Sequence, residues 1–471
     1  MSKGDLLLGF TVVNESYERG QAGDITQGTG DVTDIIANKA QVINQRRDPT
    51  VHAFPDAAGE LRVILAQYLR KAGDPPADAI IDIYNPAANP WAHIGTKTWN
   101  SMDNLYGTVS KGNFIHTIDY DNAALVTIAM TGDIYTESGN YLFPDYFNAI
   151  EGPNRLPLAP AGLQHNGVAL LKNGNLLLAL FTTVDDPWGA AVYQASTLVR
   201  LRIEPATGAL SYTAGDYVKV GKNALALEPF AFTFNNADYN NIYIPCIGGP
   251  QNFGSHNPDS RLDIVDPNTM TARTVFQAGP ANGTSDQFDF RDIVIGNRGD
   301  VYILAGHYND DYATLRGQVY KTTAAVLQLQ VNSSSTPALL SQLAEAVDVM
   351  AAAPGFFWAL LYENALPVSN DRLWFVRGNQ IDVYNPPPVS LQSDPFRTLT
   401  PAADLGLTNI NSVTPFWQPP LTRGAPQRSS RTLAAQARLA WQAREAALTC
   451  KGRAKAMEER SEAVTWLGKV L

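Results

Sequence analysis

Two cysteines, Cys246 and Cys450, and six histidines are all that 471 residues offer in soft metal ligands. Two cysteines cannot build a disulfide framework, and no two histidines have the spacing of a zinc site. Charge is also scarce, at 17% of residues. Nowhere does an uninterrupted apolar run reach the length of a membrane helix. The N-terminus has one Lys and a short apolar stretch that passes straight into polar sequence, which is not a signal-peptide layout. The expectation is a chain without a transmembrane segment or usual export leader, in the cytoplasm or an assembled particle.

Motifs for common chemistry are equally thin. "GTGDVT" (28–33) lacks the third glycine of a dinucleotide fingerprint, and "GPQNFGS" (249–255) has phosphate-loop spacing without the lysine. No nucleophile elbow occurs, and "NDDY" and "VDDPWG" fall short of a calcium-loop motif.

What the chain does have is aromatic and turn-forming residues: 19 Tyr, 18 Phe, 8 Trp, 36 Gly and 30 Pro. That balance favours strands and tight turns over surface helices. The net charge of −10 hides an asymmetry. Residues 423–471 carry ten Lys and Arg against four Glu, a surplus of six positive charges, so the remainder carries −16. An acidic body argues against nucleic acid as a partner of the main surface.

Five segments share an apolar strand, a turn with Gly or Asn, and a second apolar strand. They are "VHAFPDAAGELRVIL" (51–65), "LYGTVSKGNFIHTI" (105–118), "GVALLKNGNLLLALF" (167–181), "FTFNNADYNNIYIPCI" (232–247, with Asn240-Asn241 in place of the turn glycine) and "DIVIGNRGDVYILAG" (292–306). A sixth, "FWALLYENALPVSNDRLWFVRG" (357–378), has a longer loop. Downstream recur "IDIYNP" (81–86), "LRIEP" (201–205), "LDIVDP" (262–267) and "IDVYNP" (381–386), read as outer strands ended by proline, which an edge strand tolerates. Their spacing implies a period of about 60 residues, that of a propeller blade.

Six blades fit between residue 51 and about 408. The ends supply a seventh: "NINSVTPFW" (409–417) is a first strand without a successor, and "KGDLLLGFTVV" (3–13) a second strand without a predecessor. Pairing them closes the ring and removes an exposed edge. The predicted fold is all-β, a seven-bladed β-propeller over 1–417 closed by the N-terminal strand; a β-sandwich or two tandem β domains is the competing layout. The repeat resembles the seven-bladed YVTN-repeat, lactonase-like and NHL-like propellers, with "IDVYNP" close to the "hhVhDPxT" strand seen there. The resemblance implies a fold and leaves hydrolases, dehydrogenase subunits and scaffolds open.

Two helical regions are expected outside the repeat. Thr336, Pro337 and Pro354-Gly355 frame a helix over 338–352. After a Pro/Ser/Arg linker (418–430), residues 431–471 read as a basic amphipathic helical tail, with Leu433, Trp441 and Leu448, then Met457, Val464 and Leu467, at helical spacing. The tail could dock on the acidic propeller, bind a protein partner or lie on an anionic membrane.

The starts of the innermost strands should gather at one channel mouth, bringing together His52, Asp103, Asn104, His165, Asn166, Glu228, Asp289, Arg291, Asp292 and Asn411. Asn104, Asn166, Glu228 and Asp292 could hold Ca²⁺, an ion that prefers oxygen ligands, with His165 as a base; that arrangement resembles lactonase-type propellers. The alternative is water-filled or mutually paired polar residues. Trp91, Trp188, Tyr308 and Tyr312 sit beside Asp, Asn and Gly, a mixture suited to recognition or to packing between blades.

The main functional expectation is a non-enzymatic binding or structural module, held by its tail in a larger assembly such as a virion, a tail or a surface scaffold, with oligomerisation open. The alternatives are a metal-dependent lactonase-like hydrolase and a subunit supporting a partner's redox chemistry.

Overall fold

The computed structural model describes residues 6–416 except 17–18, 28–34, 38–41, 46–48, 57, 68–78, 100–104, 120–123, 133, 143–162, 171–174, 186–191, 225, 250–255, 279–288, 309–313, 355–357, 365–370, 386 and 388–393; for some strand segments, 163–170 among them, it describes the backbone alone. The linker, the tail with Leu433, Trp441, Leu448, Met457, Val464 and Leu467, and the candidates Asn104, Trp188 and Tyr312 lie outside the described residues. Among the described residues, no helix is long and apolar enough to cross a membrane.

Seven antiparallel sheets of four or five strands form the blades of a β-propeller. The innermost strands are, in order, Thr50–Pro55, Leu105–Lys111, Leu163–Leu170, Glu228–Phe234, Phe290–Ile295, Trp358–Glu363 and Asn409–Pro415. Each of the first six begins a four-strand meander running outward, so the hairpins read from the sequence are the inner halves of blades 1–6. Blade 7 is composite. Its inner strand, Asn409–Pro415, pairs with the N-terminal strand Leu6–Val13, which continues outward to Gly20–Gln27. Phe10 lies opposite Val413, and both are fully buried.

The inner strands of blades 7 and 1 are held side by side by polar contacts. Ser412 Oγ accepts from Val51 N at 2.9 Å, and Thr414 Oγ1 accepts from Ala53 N at 3.1 Å. Between blades the core is apolar and aromatic. Phe276 and Phe290 stack at 6.1 Å across blades 4 and 5, and Phe54 meets Tyr135 edge-on at 6.3 Å across blades 1 and 2. Such contacts suit rings whose faces and edges carry opposite partial charge.

Two local expectations are corrected. The "IDIYNP" type of segment is the third strand of its blade, with partners on both sides, as Ala79–Asn85 is between Leu61–Gln67 and Ala92–Trp99. The proline escapes the ladder by standing just past the strand's end. There the preceding Asx side chain folds the turn: Asn85 Oδ1 accepts from Ala87 N, and Asp266 Oδ1 from Asn268 N.

The helix expected over 338–352 is also replaced. Only Leu340–Leu343 is helical, and Glu345–Pro354 forms the outer strand of blade 5, paired with Thr314–Thr323. The longer helix, Ala324–Ser333, precedes it and is capped by Thr323, whose hydroxyl accepts from Val326 N. An unfilled ladder beside the third strand outweighs weak helical propensity in an Ala- and Val-rich segment.

Candidate functional site

In a meander blade the inner strand starts on the face where the second strand ends. On that face the longest sequence intervals separate successive strand ends, between Gln67 and Ala79, Leu142 and Leu163, Cys246 and Arg261, and Gln277 and Phe290. On the opposite face the intervals between Lys111 and Phe114, Thr131 and Ile134, Phe234 and Ala237, Asp266 and Thr271, and Ile295 and Asp300 are short; the helical insertion of blade 5 and the intervals from Glu363 to Arg372 and from Tyr384 to Arg397 in blade 6 are the longer ones there. Loops carried on a rigid ring are where propellers can vary recognition, which makes the starting face the candidate for the working face.

The inner strands share a second feature near their starts. In four of seven blades extra residues interrupt the pairing with the second strand: Tyr106 and Gly107 in blade 2, Asn166 in blade 3, Arg291 in blade 5 and Asn411 in blade 7. The inner strands of blades 1, 4 and 6 pair without a break. A bulge re-aims the side chain it carries, and recurrence at one level of the ring marks that level as special.

Around Arg291 the side chains are described and buried. Its guanidinium donates from Nε to the Gly306 carbonyl and stands 3.7 Å from Asp289. Asp289 accepts from Asn257 N at 2.6 Å and from Asn257 Nδ2 at 3.1 Å, which ties the blade 4 connection to the start of blade 5. Ser260 doubles the tie, donating to the Cys246 carbonyl and accepting from Phe290 N. Burial pushes the Asp289 carboxyl up to about 7, against the opposing pull of Arg291 and Asn257. In blade 7, Asn411 Nδ2 donates to the Pro49 carbonyl at 2.8 Å, while its Oδ1 is buried with no hydrogen-bond partner among the described residues.

Glu228 and Asp292, expected as cation ligands, instead bind inner strands to one another. Glu228 Oε1 accepts from Ile295 N of blade 5 at 3.0 Å. Asp292 Oδ2 accepts from Leu360 N of blade 6 at 2.8 Å, and its Oδ1 from Ile293 N. With these oxygens directed at backbone N–H groups, the described carboxylates do not fit a calcium cage. Among the described residues, no three His, Cys, Asp or Glu side chains gather as metal ligands would.

The remaining candidates divide clearly. His165 and Asn166 lie on the inner strand of blade 3, His165 opposite Phe181 and Asn166 in the bulge. Tyr308 lies on the second strand of blade 5, opposite Leu315. Trp91 is buried between blades 1 and 7, its ring 6.1 Å from Phe416 and its Nε1 donating to Asp24 at 2.6 Å.

Sequence reading did not single out Asn257, because the loop that carries it falls between repeats. It also missed the cluster at the opposite face, where Arg372 meets Glu363 at 3.2 Å, Trp374 Nε1 donates to Glu363 at 3.0 Å, and Arg372 reaches Gln27 of blade 7. That cluster joins blades 6 and 7. Burial raises the Glu363 carboxyl above its ordinary range.

No protein-family model matches the sequence, and no curated protein matches it. The fold is shared with solved structures. A 6-phosphogluconolactonase candidate from Bacteroides fragilis aligns at a TM-score of 0.52 and 10% identity, over 88% of this chain and 98% of that one. A second such candidate, from Bacteroides uniformis, aligns at 0.51 and 12%, over 87% and 99%. The periplasmic gluconolactonase of Pseudomonas aeruginosa aligns at 0.51 and 11%, over 87% and 99%. At these identities the likeness is one of fold.

Proposed function

We propose that this chain is a lactonase-like hydrolase acting on a polyhydroxylated lactone at the face where the inner strands begin. The observation that carries the reading is the recurrence, near the starts of the inner strands, of the bulged positions Asn166, Arg291 and Asn411. The names borne by its structural neighbours favour the same chemistry.

The reaction needs little machinery. Water attacks the lactone carbonyl carbon, the bond from that carbon to the ring oxygen breaks, and the ring oxygen takes up a proton to leave an open-chain hydroxy acid. His165, next to the blade 3 bulge, is the proposed base that takes the water's proton and returns it to the ring oxygen. Arg291 supplies positive charge for the developing oxyanion. The Asp289–Asn257 bonds hold the neighbouring loop in place. No step is assigned to a metal ion.

The test is acid release from glucono-δ-lactone and 6-phosphogluconolactone, followed in a pH-stat against the spontaneous rate. We expect enzymatic release that falls at least about 100-fold in His165→Gln, within the range of general-base catalysis. Release no faster than the blank for either lactone would return the chain to the class of non-enzymatic binding propellers.

A further inference from the structure

We propose that the outer face of the helix Ala324–Ser333 is the docking site of this chain's own C-terminal tail, whose apolar stripe of Leu433, Trp441 and Leu448 lies across it. The tail is then an intramolecular strap on the end of the ring away from the starting face. It does not depend on the lactone reading, which concerns the other end.

Apolar residues stand on two opposite sides of this helix. One side is spent on the propeller, where Ala324, Leu327 and Val331 are buried in the core shared by blades 4 and 5. Two bonds fix that side to blade 4: Asn241 Nδ2 donates to Gln328 at 2.7 Å, and Asn332 Nδ2 to the Tyr239 hydroxyl at 3.3 Å. The other side carries Ala325, Val326 and Leu329. Leu329 is 53% exposed, the one exposed large hydrophobic side chain among the described residues. Apolar residues on both sides are the pattern of a helix covered on both. The insertion from Ala324 to Ala344 also contains no Lys, Arg, Asp or Glu, in a chain where 17% of residues are charged, and depletion of charge marks the centre of an interface. Its second half has a duty of its own, with Ala338 bridging to Phe276 at the outer edge of blade 4. The outer helix face has none within the ring.

The tail is an occupant that the chain itself supplies. The inner strand of blade 7 ends at Pro415 on the same end of the ring as the insertion, and Phe416 is seated there against Trp91. Leu433 follows 17 residues later, a reach of about 55 Å when extended, against a radius of gyration of about 22 Å for a domain of this size. The helix therefore meets its own tail at high effective concentration. Charge agrees with that pairing. Residues 423–471 carry a surplus of six positive charges, and the remainder carries −16. Exposed carboxylates adjoin the helix, Asp238 next to Tyr239 and Glu345 directly after the insertion, whereas Lys321 before it is paired with Asp300 at 3.3 Å. A second copy of the chain would instead bring a second acidic body to the same place.

Photocrosslinking of the full chain tests the placement. Cys246 is fully buried, so a benzophenone maleimide added to the native protein labels Cys450, two residues beyond Leu448. Illumination should join the probe to the 324–344 segment of the same molecule, at a yield independent of protein concentration. Trypsin gives the energetic readout, because a docked tail is cleaved only while it is released. Leu329→Glu should speed tail cleavage at least about tenfold, the equivalent of one leucine side chain left unburied. Trp441→Ala, which lies outside the ring and leaves its folding untouched, should do the same. Crosslinks between two molecules would assign the face to a second copy, and crosslinks elsewhere on the ring, or none, would separate the tail from it. Each of these overturns the inference, as does tail cleavage indifferent to both variants.

Discussion

Thr11 and Ser412, 401 positions apart in the chain, stand hydroxyl to hydroxyl at 2.7 Å inside blade 7. Both are fully buried, and each has a second duty: Thr11 donates to the Pro49 carbonyl, and Ser412 accepts from Val51 N. The two ends of the described chain and the start of blade 1 thus share one hydrogen-bonded knot.

Ser412→Ala should therefore cost more than a surface serine. It leaves the Val51 N–H and the Thr11 hydroxyl short of a partner in a dry interface, at about 1–3 kcal/mol. Urea denaturation should show a lower midpoint with an unchanged slope, since the surface exposed on unfolding is the same.

Gly23→Ala tests the packing of the same blade. A Cβ at position 23 would fall 2.5 Å from Cζ of Phe10, a side chain with no exposed surface to retreat into. Overpacking of this kind costs about 1–3 kcal/mol, and a Phe10→Leu partner change should recover part of it in a double-mutant cycle.

Asp292→Asn replaces one of two acceptor oxygens with a donor. One of the N–H groups of Ile293 and Leu360 then faces an NH₂, and we expect a loss of about 1–3 kcal/mol in global stability. Faster amide hydrogen exchange at the inner strands of blades 5 and 6 than elsewhere would locate the damage.

Two buried groups tilt stability with pH in opposite senses. Asp289 holds its proton up to about 7, far above the ordinary 3.8, so its contribution is complete below about 4 and is lost as pH rises through 7. His116 is held neutral by burial down to about 4, below its ordinary 6.5, so its contribution is present above 6.5 and is lost as pH falls toward 4. Denaturation midpoints between pH 5 and 8 should decline less steeply at the alkaline end in Asp289→Asn than in the unmodified chain.

The repeat was legible because a blade's inner hairpin is a local object: alternating apolar strands and a Gly or Asn turn, as at Gly112, whose positive φ the sequence anticipates. In the fourth hairpin the turn falls at Asn235-Asn236, and Asn240-Asn241, expected there from the sequence, lie inside the strand Ala237–Cys246. The third-strand assignment failed for the opposite reason. "IDVYNP" looks the same whether or not a fourth strand covers it, and Arg397–Leu399, which does, carries little signal of its own. The helix expected over 338–352 failed likewise, since an Ala-rich run with moderate propensity takes the conformation its neighbour's free ladder demands.

By itself the sequence determined the all-β class, the seven-fold ring and its closure by Leu6–Val13 against Asn409–Pro415, because hydrophobic alternation and unpaired half-hairpins are written in neighbouring residues. Tertiary structure alone decided that Glu228 and Asp292 tie inner strands together, that Trp91 packs between blades, and that Arg291 and Asn411 occupy bulges. The physical reason is register: whether a side chain meets a neighbouring blade or the axis depends on one extra residue in a ladder, and that depends on a partner strand the local sequence does not contain.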